Sequence, residues 1–487
     1  MRPILQFLAP DIVQQVFDET FQLLMKPGVK VQHSAAIGLL GDNGALVDND
    51  NQIVHIPETV ARKALETVPH EFYLYNRAGE AVVHYGGDSV QFDPGSSGVH
   101  VLDPLTFEHK SSSTADLVRV IKITEMLSQY DAQSTAIVCN EVPKEIGDLY
   151  RLYLVLLYSS KPVVTGAFSS TTGQTMFDML AIFAGGRQAL VKKPLAVFDI
   201  CPTPPLIWSE FGSQNLIDLA CAEIPAQIVS MPLAGAGAPV TLLGSIVQHA
   251  AECISGIAIH QFAHPGAPIV WGGAPAIFDM RQGTTPMGAI ETAMIDAGYA
   301  QVGKSLGLPT HTYLGASDAK IVDAQAGMES GITAIIGALA GINMISGAGM
   351  LDFLACLSPE KLVIDAEAIG MAKRLVQGIH VQTETLATEL FEGINFKADF
   401  LKQKITRKLF MKEQYMPSEV IDRGSIRTWQ EKGSQDAFRR ACTRTNDLLA
   451  NYRRPAAPPE KEAELLSLLR SLASTAGLDK LPEIDLA

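Results

Sequence analysis

The sequence predicts an α/β fold: a (β/α)8 barrel with an N-terminal α+β cap and a C-terminal helical extension. Three observations carry this. Eight short apolar runs, each closed by a loop of small or polar residues and followed by a helix-forming stretch, recur roughly every 30–45 residues. No GxGxxG opens a helix and no GxxxxGK[ST] phosphate loop is present, which favours the barrel over the alternative, an open doubly wound sheet built from the same units. The chain has 487 residues, 47% hydrophobic and 18% charged, enough to bury a large core and too apolar for disorder. The expected organisation is a cap over 1–88, a barrel over 89–380 and a helical extension over 381–487.

In the cap, residues 9–25 have helical periodicity, with Ile12, Val16, Phe21 and Leu24 near one face. A short strand over 29–31 precedes a helix capped by Ser34, and Pro57 suits the first turn of another. Residues 72–77 and 81–85 alternate as a hairpin around Ala78-Gly79. Barrel strands are expected at 90–93, 135–138, 162–165, 195–200, 227–231, 268–271, 310–314 and 342–345. A ribbon (99–102 with 107–109) interrupts the first unit. Helices follow from about 113, 146, 174, 209, 241, 288, 321 and 359. Ser317 or Asp318 is the expected cap of the seventh helix, and Gly341 ends it at the usual left-handed position. In the extension, Phe396, Phe400 and Leu409 alternate with Lys402, Lys404, Arg407 and Lys408. That basic surface reads either as a solvated face or as a docking surface. Pro455, Pro458 and Pro459 form a linker, and 460–476 is an amphipathic helix suited to packing on a neighbour.

The net charge of −14 argues against non-specific binding to nucleic acid or an anionic membrane, and suits a cationic small substrate, a basic partner or an ordinary acidic enzyme. The six cysteines show no CxxC pair and read as thiols in a reducing compartment; Cys139 and Cys201, at strand ends, leave a functional thiol open. With no clear signal peptide, and with the most apolar region (331–357) broken by glycines and polar residues, a cytoplasmic protein is expected.

The candidate chemistry is defined partly by what is missing. The eleven histidines form no HExxH or HxH cluster, no serine sits in a GxSxG elbow, and no strand-end lysine suits a Schiff base. No metal site is expected. Asp93, Glu141, Asp279 and Asp318 lie at or near strand ends without pairing clearly. Six of the eight strand-end loops are small: Gly95-Ser96-Ser97-Gly98, Gly166, Gly235-Ala236-Gly237, Gly272-Gly273, Gly315 and Gly347-Ala348-Gly349. Any one is turn geometry; together they favour an open mouth that a bulky ligand can approach. Aromatic residues are scarce, at 7%, yet Phe92, Phe168, Trp271, Phe278, Tyr313 and Phe353 fall near that mouth. Aromatic faces attract quaternary ammonium groups by about 0.5–2 kcal/mol per contact, although most aromatics serve as core. Asp318 offers a counter-charge.

The stretches GSSGVHVLDPLT (95–106), SDAKIVDAQAGMES (317–330), ALAGINMISGAG (338–349) and LVIDAEAIGM (362–371), taken together, resemble the trimethylamine methyltransferase family, and the resemblance runs over nearly the whole chain. It implies a (β/α)8 barrel that transfers a methyl group from a methylated amine to the corrinoid of a partner protein, in one-carbon metabolism of the methanogenic or acetogenic kind. Founding members carry pyrrolysine near the barrel mouth. This chain has only standard residues and so is similar to the non-pyrrolysine branch, whose members demethylate quaternary amines such as glycine betaine. A quaternary amine already bears positive charge and leaves as a neutral amine, so the enzyme's work is positioning and desolvation, not acid catalysis. On this reading Asp318 and Tyr313 are catalytic. Phe92, Phe168, Trp271, His311, Tyr313 and Phe353 surround the substrate, with His311 or loop N–H groups meeting a betaine carboxylate. Gly95, Ser96, Gly237, Gly273, Gly315, Gly347 and Gly349 face the partner's cobalamin. The alternatives are another methylated amine or a sulfonium donor, and a non-catalytic binder of betaines or of a corrinoid protein. Homo-oligomerisation is open.

Overall fold

The computed structural model describes residues 2–167, 172–393, 396, 399–478 and 480–484. Its centre is an eight-stranded parallel barrel: β1 Gln91–Pro94, β2 Gln133–Ser134, β3 Val163–Thr165, β4 Ala196–Ile200, β5 Ala226–Ile228, β6 Ile269–Gly273, β7 Thr310–Thr312 and β8 Met344–Ala348. From β2 to β8 each strand pairs with its sequence neighbour, and β8 pairs with β1. Between β1 and β2 the barrel closes through Asp131 N donating to Phe92 O (2.8 Å) and a parallel bridge between Gly98 and Ile137. Eight helices alternate with the strands: α1 Thr114–Met126, α2 Gly147–Tyr158, α3 Gly173–Ala184, α4 Glu210–Ala222, α5 Leu242–Ala263, α6 Ile290–Ser305, α7 Ala324–Leu339 and α8 Pro359–Gln377.

Alternation along the strands sets the interior. Val164, Val197, Val270 and Met344 point inward at the amino-terminal end, where the hairpin of Phe72–Tyr75 and Ala81–Tyr85 seals the barrel with Leu74, Val83 and Tyr85. The other amino-terminal elements lie against α5, which contacts the helices Pro10–Met25 and Glu58–Leu65 on one side and α4 and α6 on the others. That surround explains a helix apolar on every face: 83% of its most apolar stretch is buried. Among the described residues it is the one helix long and apolar enough to cross a membrane, and here it is a core helix. A strand from the loop after β4, Ile207–Trp208, joins the amino-terminal sheet in parallel with Val29–Val31. In the extension, Ala437–Asn451 packs on α8 and α1, and Pro459–Thr475 buries Leu465, Leu469 and Ala473 against α2 and α3.

Several expected boundaries shift by a few residues, and the helix from Ser34 is capped instead by His33, whose ring accepts from Ala36 N (3.2 Å); two shifts bear on the mouth. The second strand is Gln133–Ser134, and 135–138 runs on into the mouth, where Ile137 pairs with Gly98. The seventh helix begins at Ala324, capped by Asp323 accepting from Ala326 N (3.1 Å), because residues before it are held in a mouth loop. Glu329 Oε2 holds that loop by accepting from Ser317 Oγ (2.6 Å) and Asp318 N (2.8 Å). Other mouth loops pair as well: Leu233–Ala234 lies parallel to Ala276–Ile277, and His100–Leu102, His109–Ser111, Met350–Leu351 and Cys356–Leu357 form a small sheet.

Candidate active site

The carboxyl-terminal half of the barrel is polar inside. Two residues beyond inward-facing Val197, Val270 and Met344 stand Asp199, Gly272 and Ser346, and Asp93, Gln227, His311 and Tyr313 join them from neighbouring strands. Asp199 is the hub. Its Oδ2 accepts from Tyr313 OH (3.0 Å) and its Oδ1 from Gln227 Nε2 (2.7 Å). Tyr85 OH, rising from the hairpin, donates to Gln227 Oε1 (2.9 Å) and so fixes the amide's orientation. The phenol has one proton, which Asp199 takes, so Ser96 Oγ (2.8 Å from Tyr313 OH) is the donor to it. Burial raises the Asp199 carboxyl to about 7, against the two hydrogen bonds that favour its charged form. It is therefore balanced between acid and anion near neutrality.

Beside this hub lies an uncharged layer. Ser346 Oγ donates to Asp93 Oδ1 and also pairs with His311 Nε2 (3.0 Å). Burial pushes Asp93 well above the usual carboxylate range and His311 down to about 3, leaving both neutral. The His311 and Tyr313 rings meet edge to face, with centroids 5.1 Å apart. Above Tyr313 an apolar rim of Val229, Ala274, Ala276 and Met287, with Leu354 at its edge, shields the hub. On the β1 side, buried Arg151 donates to Ser97 Oγ (3.0 Å) and Thr135 O (2.9 Å). Cys201, two residues beyond Asp199, is accessible yet closely surrounded by protein, which pushes its thiol up to about 12.

The structure brings Tyr313, His311 and Ser96 together and disperses the other expected site residues. Phe92 lies between β1 and α8, in a niche with Leu314, Ala334 and Ile369, because Asp93 holds the inward position. Trp271 points into the helical layer: its Nε1 donates to Tyr299 O (3.0 Å), it packs on Gly303, and Gly272 takes the inward place. Neither ring faces the barrel interior. Phe353 is half-buried at the rim, with the Lys320 ammonium already over its face at 3.8 Å. Asp318 uses both oxygens on the loop before α6, accepting from Met287 N (2.8 Å) and Gly288 N (2.9 Å), with burial raising it to about 6. It thus secures the loop that carries Met287. His311 is fully buried and occupied by Ser346. Phe168 lies outside the described residues.

The glycines are mostly filled from within. A Cβ at Gly95 would meet Met350, at Gly273 His249, at Gly347 the Leu314 carbonyl and at Gly349 Leu362, all within 2.6 Å. Gly315 is buried with φ +84°, its N–H on Thr333 Oγ1. Ser96 and Gly237 alone in this group retain accessible surface.

Sequence reasoning missed Asp199, Gln227, Ser346 and Arg151. The signal for Asp199 was a lone carboxylate in phase with Val197 on an otherwise apolar strand. Among the described residues no three His, Cys, Asp or Glu side chains are grouped to hold a metal ion.

Comparison with known proteins agrees with this architecture. The family model described as trimethylamine methyltransferase (MTTB) matches residues 1–471. The chain is 33% identical over 439 residues to the trimethylamine methyltransferase MttB of Methanosarcina thermophila, covering 89% of this chain and 90% of that one. It is 28% identical over 477 residues to the glycine betaine methyltransferase of Desulfitobacterium hafniense strain Y51, covering 98% of each. The crystal structure of the Methanosarcina barkeri monomethylamine methyltransferase MtmB superposes with a TM-score of 0.52 at 13% identity, over 91% of this chain and 88% of that one, and shares the barrel fold.

Proposed function

The chain belongs to the trimethylamine methyltransferase family and is a methyltransferase; on that premise we propose that it moves a methyl group from a quaternary amine, a betaine by preference, to the reduced corrinoid of a partner protein. The observation that carries the reading is the Asp199–Tyr313 pair: a carboxylate poised at about 7 beside an aromatic ring, with neutral groups next to it. A permanent cation in this position gains a counter-charge and a π face together. At an effective dielectric constant of about 20, unit charges roughly 4–5 Å apart attract by about 3–4 kcal/mol.

A Co(I) corrinoid supplies a nucleophile that needs no activation by this chain. Of the mouth residues expected to face it, Ser96 and Gly237 remain accessible, so the proposed contact is confined to the loops after β1 and β5. The chain's own work is to hold the methyl donor. Asp199 and Tyr313 hold the ammonium end, Gln227 and Tyr85 keep Asp199 in place, and the apolar rim around Met287 excludes water. Ser97, whose oxygen accepts from Arg151, keeps its own proton to donate to a carboxylate, which suits the acidic end of a betaine. Loss of the methyl cation equivalent leaves a neutral amine, the attraction to Asp199 collapses, and the product is released. No proton is transferred to or from the substrate.

Calorimetry with tetramethylammonium, choline, glycine betaine and trimethylamine tests this. Quaternary compounds should bind, glycine betaine most tightly, and Ser97→Ala should reduce the betaine preference over choline. Binding of trimethylamine alone, or of no quaternary compound, would overturn it.

A further inference from the structure

The strands Met350–Leu351 and Cys356–Leu357 pair antiparallel and are joined by the turn 352–355, closed by Ala355 N donating to Asp352 O (2.9 Å). Its backbone is left-handed at three residues in succession: Asp352 at φ +50°, Phe353 at +56° and Leu354 at +69°. No other run of this kind occurs among the described non-glycine residues. A hairpin turn with left-handed φ at both central positions is normally built from Asn-Gly, because a Cβ there crowds the following carbonyl oxygen. At a residue other than glycine that conformation is disfavoured roughly five- to thirtyfold. Phe353 and Leu354 are large, so the strain must be offset by the contacts their side chains and neighbours make.

Those contacts run in two directions. Leu354 packs on the apolar cluster of Val229, Ala274, Ala276, Met287 and Tyr313, and so completes the cover over the Tyr313 ring. Phe353 lies on the other side, where it lines an open cavity of about 620 Å³ with Lys320, Asp318 and Glu329. The Lys320 ammonium stands over the Phe353 ring, pairs with Asp352 Oδ1 (3.1 Å) and donates to Asp318 O (2.6 Å). His109 Nε2 donates to Lys320 O (2.7 Å), and its Nδ1 is 3.7 Å from Asp352 Oδ2. Lys320 therefore ties the turn to the loop that Asp318 secures before α6. Backbone hydrogen bonds hold the two ends of the turn, Asp352 N donating to Ala319 O (3.1 Å) and Val99 N to Ala355 O (2.9 Å). Among the described residues the backbone of Phe353 and Leu354 makes none. A strained piece of rim, held by side chains and bordered by open space, has a second arrangement within reach.

We propose that the turn 352–355 is a strained gate over the donor site: Leu354 closes on Tyr313, Lys320 latches the turn shut, and opening relaxes the backbone as the donor enters and the neutral amine leaves. The proposal rests on the reading of Asp199 and Tyr313 as the donor site. Closure excludes the water that would weaken the attraction to Asp199, and the strain keeps the gate from staying shut once product has formed.

Glycine and alanine at 354 separate strain from packing. Leu354→Gly and Leu354→Ala remove the same contacts with the rim and differ in the left-handed penalty. At ordinary positions glycine is the less stable of the two; at 354 the order should reverse, with the urea midpoint of Leu354→Gly above that of Leu354→Ala. Tetramethylammonium is the probe for closure. By calorimetry both variants should bind it about fivefold more weakly than wild type, or worse. Saturating tetramethylammonium should slow hydrogen exchange at the Ala355 amide about tenfold in wild type, and Lys320→Met should speed that exchange in the unliganded protein. A Leu354→Ala variant more stable than Leu354→Gly would overturn the proposal. Full affinity in both Leu354 variants, or Ala355 exchange indifferent to the ligand, would overturn the gate and leave the donor site standing. A wild type that binds no quaternary compound would overturn the donor site, and the gate over it as well.

Discussion

Asp199→Asn is the most informative single change. The substitution keeps the side chain's size and one acceptor while removing the charge that meets the proposed cation. Its effect follows from the two hydrogen bonds and the balance point near 7. In the wild type the cation binds the ionised form. With a carboxyl at about 7, the ionised fraction is roughly 0.1 at pH 6 and 0.9 at pH 8, so affinity should rise about tenfold across that range and level off above it. At pH 7 binding should release roughly half a proton, measurable by calorimetry in buffers of different ionisation enthalpy. Of the facing groups, burial raises Asp93 and Tyr313, lowers His311 to about 3 and pushes the Cys201 thiol up to about 12. In the Asn variant the pH dependence and proton release should vanish, and affinity at pH 8 should fall by roughly 3–4 kcal/mol, a factor of several hundred. Unchanged affinity, or a wild type whose affinity is flat from pH 6 to 8, would refute the placement of the cation at Asp199.

Further changes separate site from scaffold. Tyr313→Phe retains the ring but removes a hydrogen bond that favours the Asp199 anion, so the binding profile should shift to higher pH and affinity should recover towards wild type by pH 9. Trp271→Ala should cost about 3–5 kcal/mol of stability by denaturant unfolding, yet leave quaternary amine affinity of the folded protein unchanged, since the indole packs on Tyr299 and Gly303. Asp199 at about 7 and Asp296 at about 8 are held protonated in the fold above their unfolded values, so the stability they contribute is complete below pH 4 and is lost as pH rises through 7–8. His249, His260 and His311, each lowered to about 3, act in the opposite direction only below 6.5. The unfolding free energy should therefore fall from pH 6.5 to 9, with Tm following it, and Asp296→Asn, still able to accept from Thr312 Oγ1, should reduce that free-energy loss by about 1–2 kcal/mol.

Much of the barrel is legible in the sequence because strand, loop and helix recur eight times at regular spacing without a dinucleotide fingerprint. The hairpin around Ala78-Gly79 is legible for the same reason, although its place as the plug beneath Val197 and Val270 is not. Side-chain direction is harder. Strands buried on both faces read as continuous apolar runs, so parity cannot be assigned from pattern alone. Trp271 and Phe92 attract notice as aromatics at strand ends, but Gly272 and Asp93 hold the inward positions beside them. His311 and Tyr313, two apart, do share the inward face. Asp318 shows a different limit: a carboxylate after a strand looks like a counter-charge, and only the fold reveals Met287 N and Gly288 N waiting for it. Asp199 was hidden by its surroundings, one acid inside AVFDI, and its partners Gln227 and Tyr313 come from two other strands, themselves held by Tyr85 and Ser96 from further segments.

The most direct measurement of the central claim is a single-turnover methyl transfer. The purified chain is mixed with a reduced corrinoid protein and glycine betaine, with cobalt oxidation and methylation state followed by absorbance and the amine followed by NMR. The account predicts dimethylglycine and methylated corrinoid appearing together in equal amounts, with Asp199→Asn slowing both alike. Absence of methyl transfer from every quaternary amine tried, or transfer unaffected by the loss of Asp199, would contradict it.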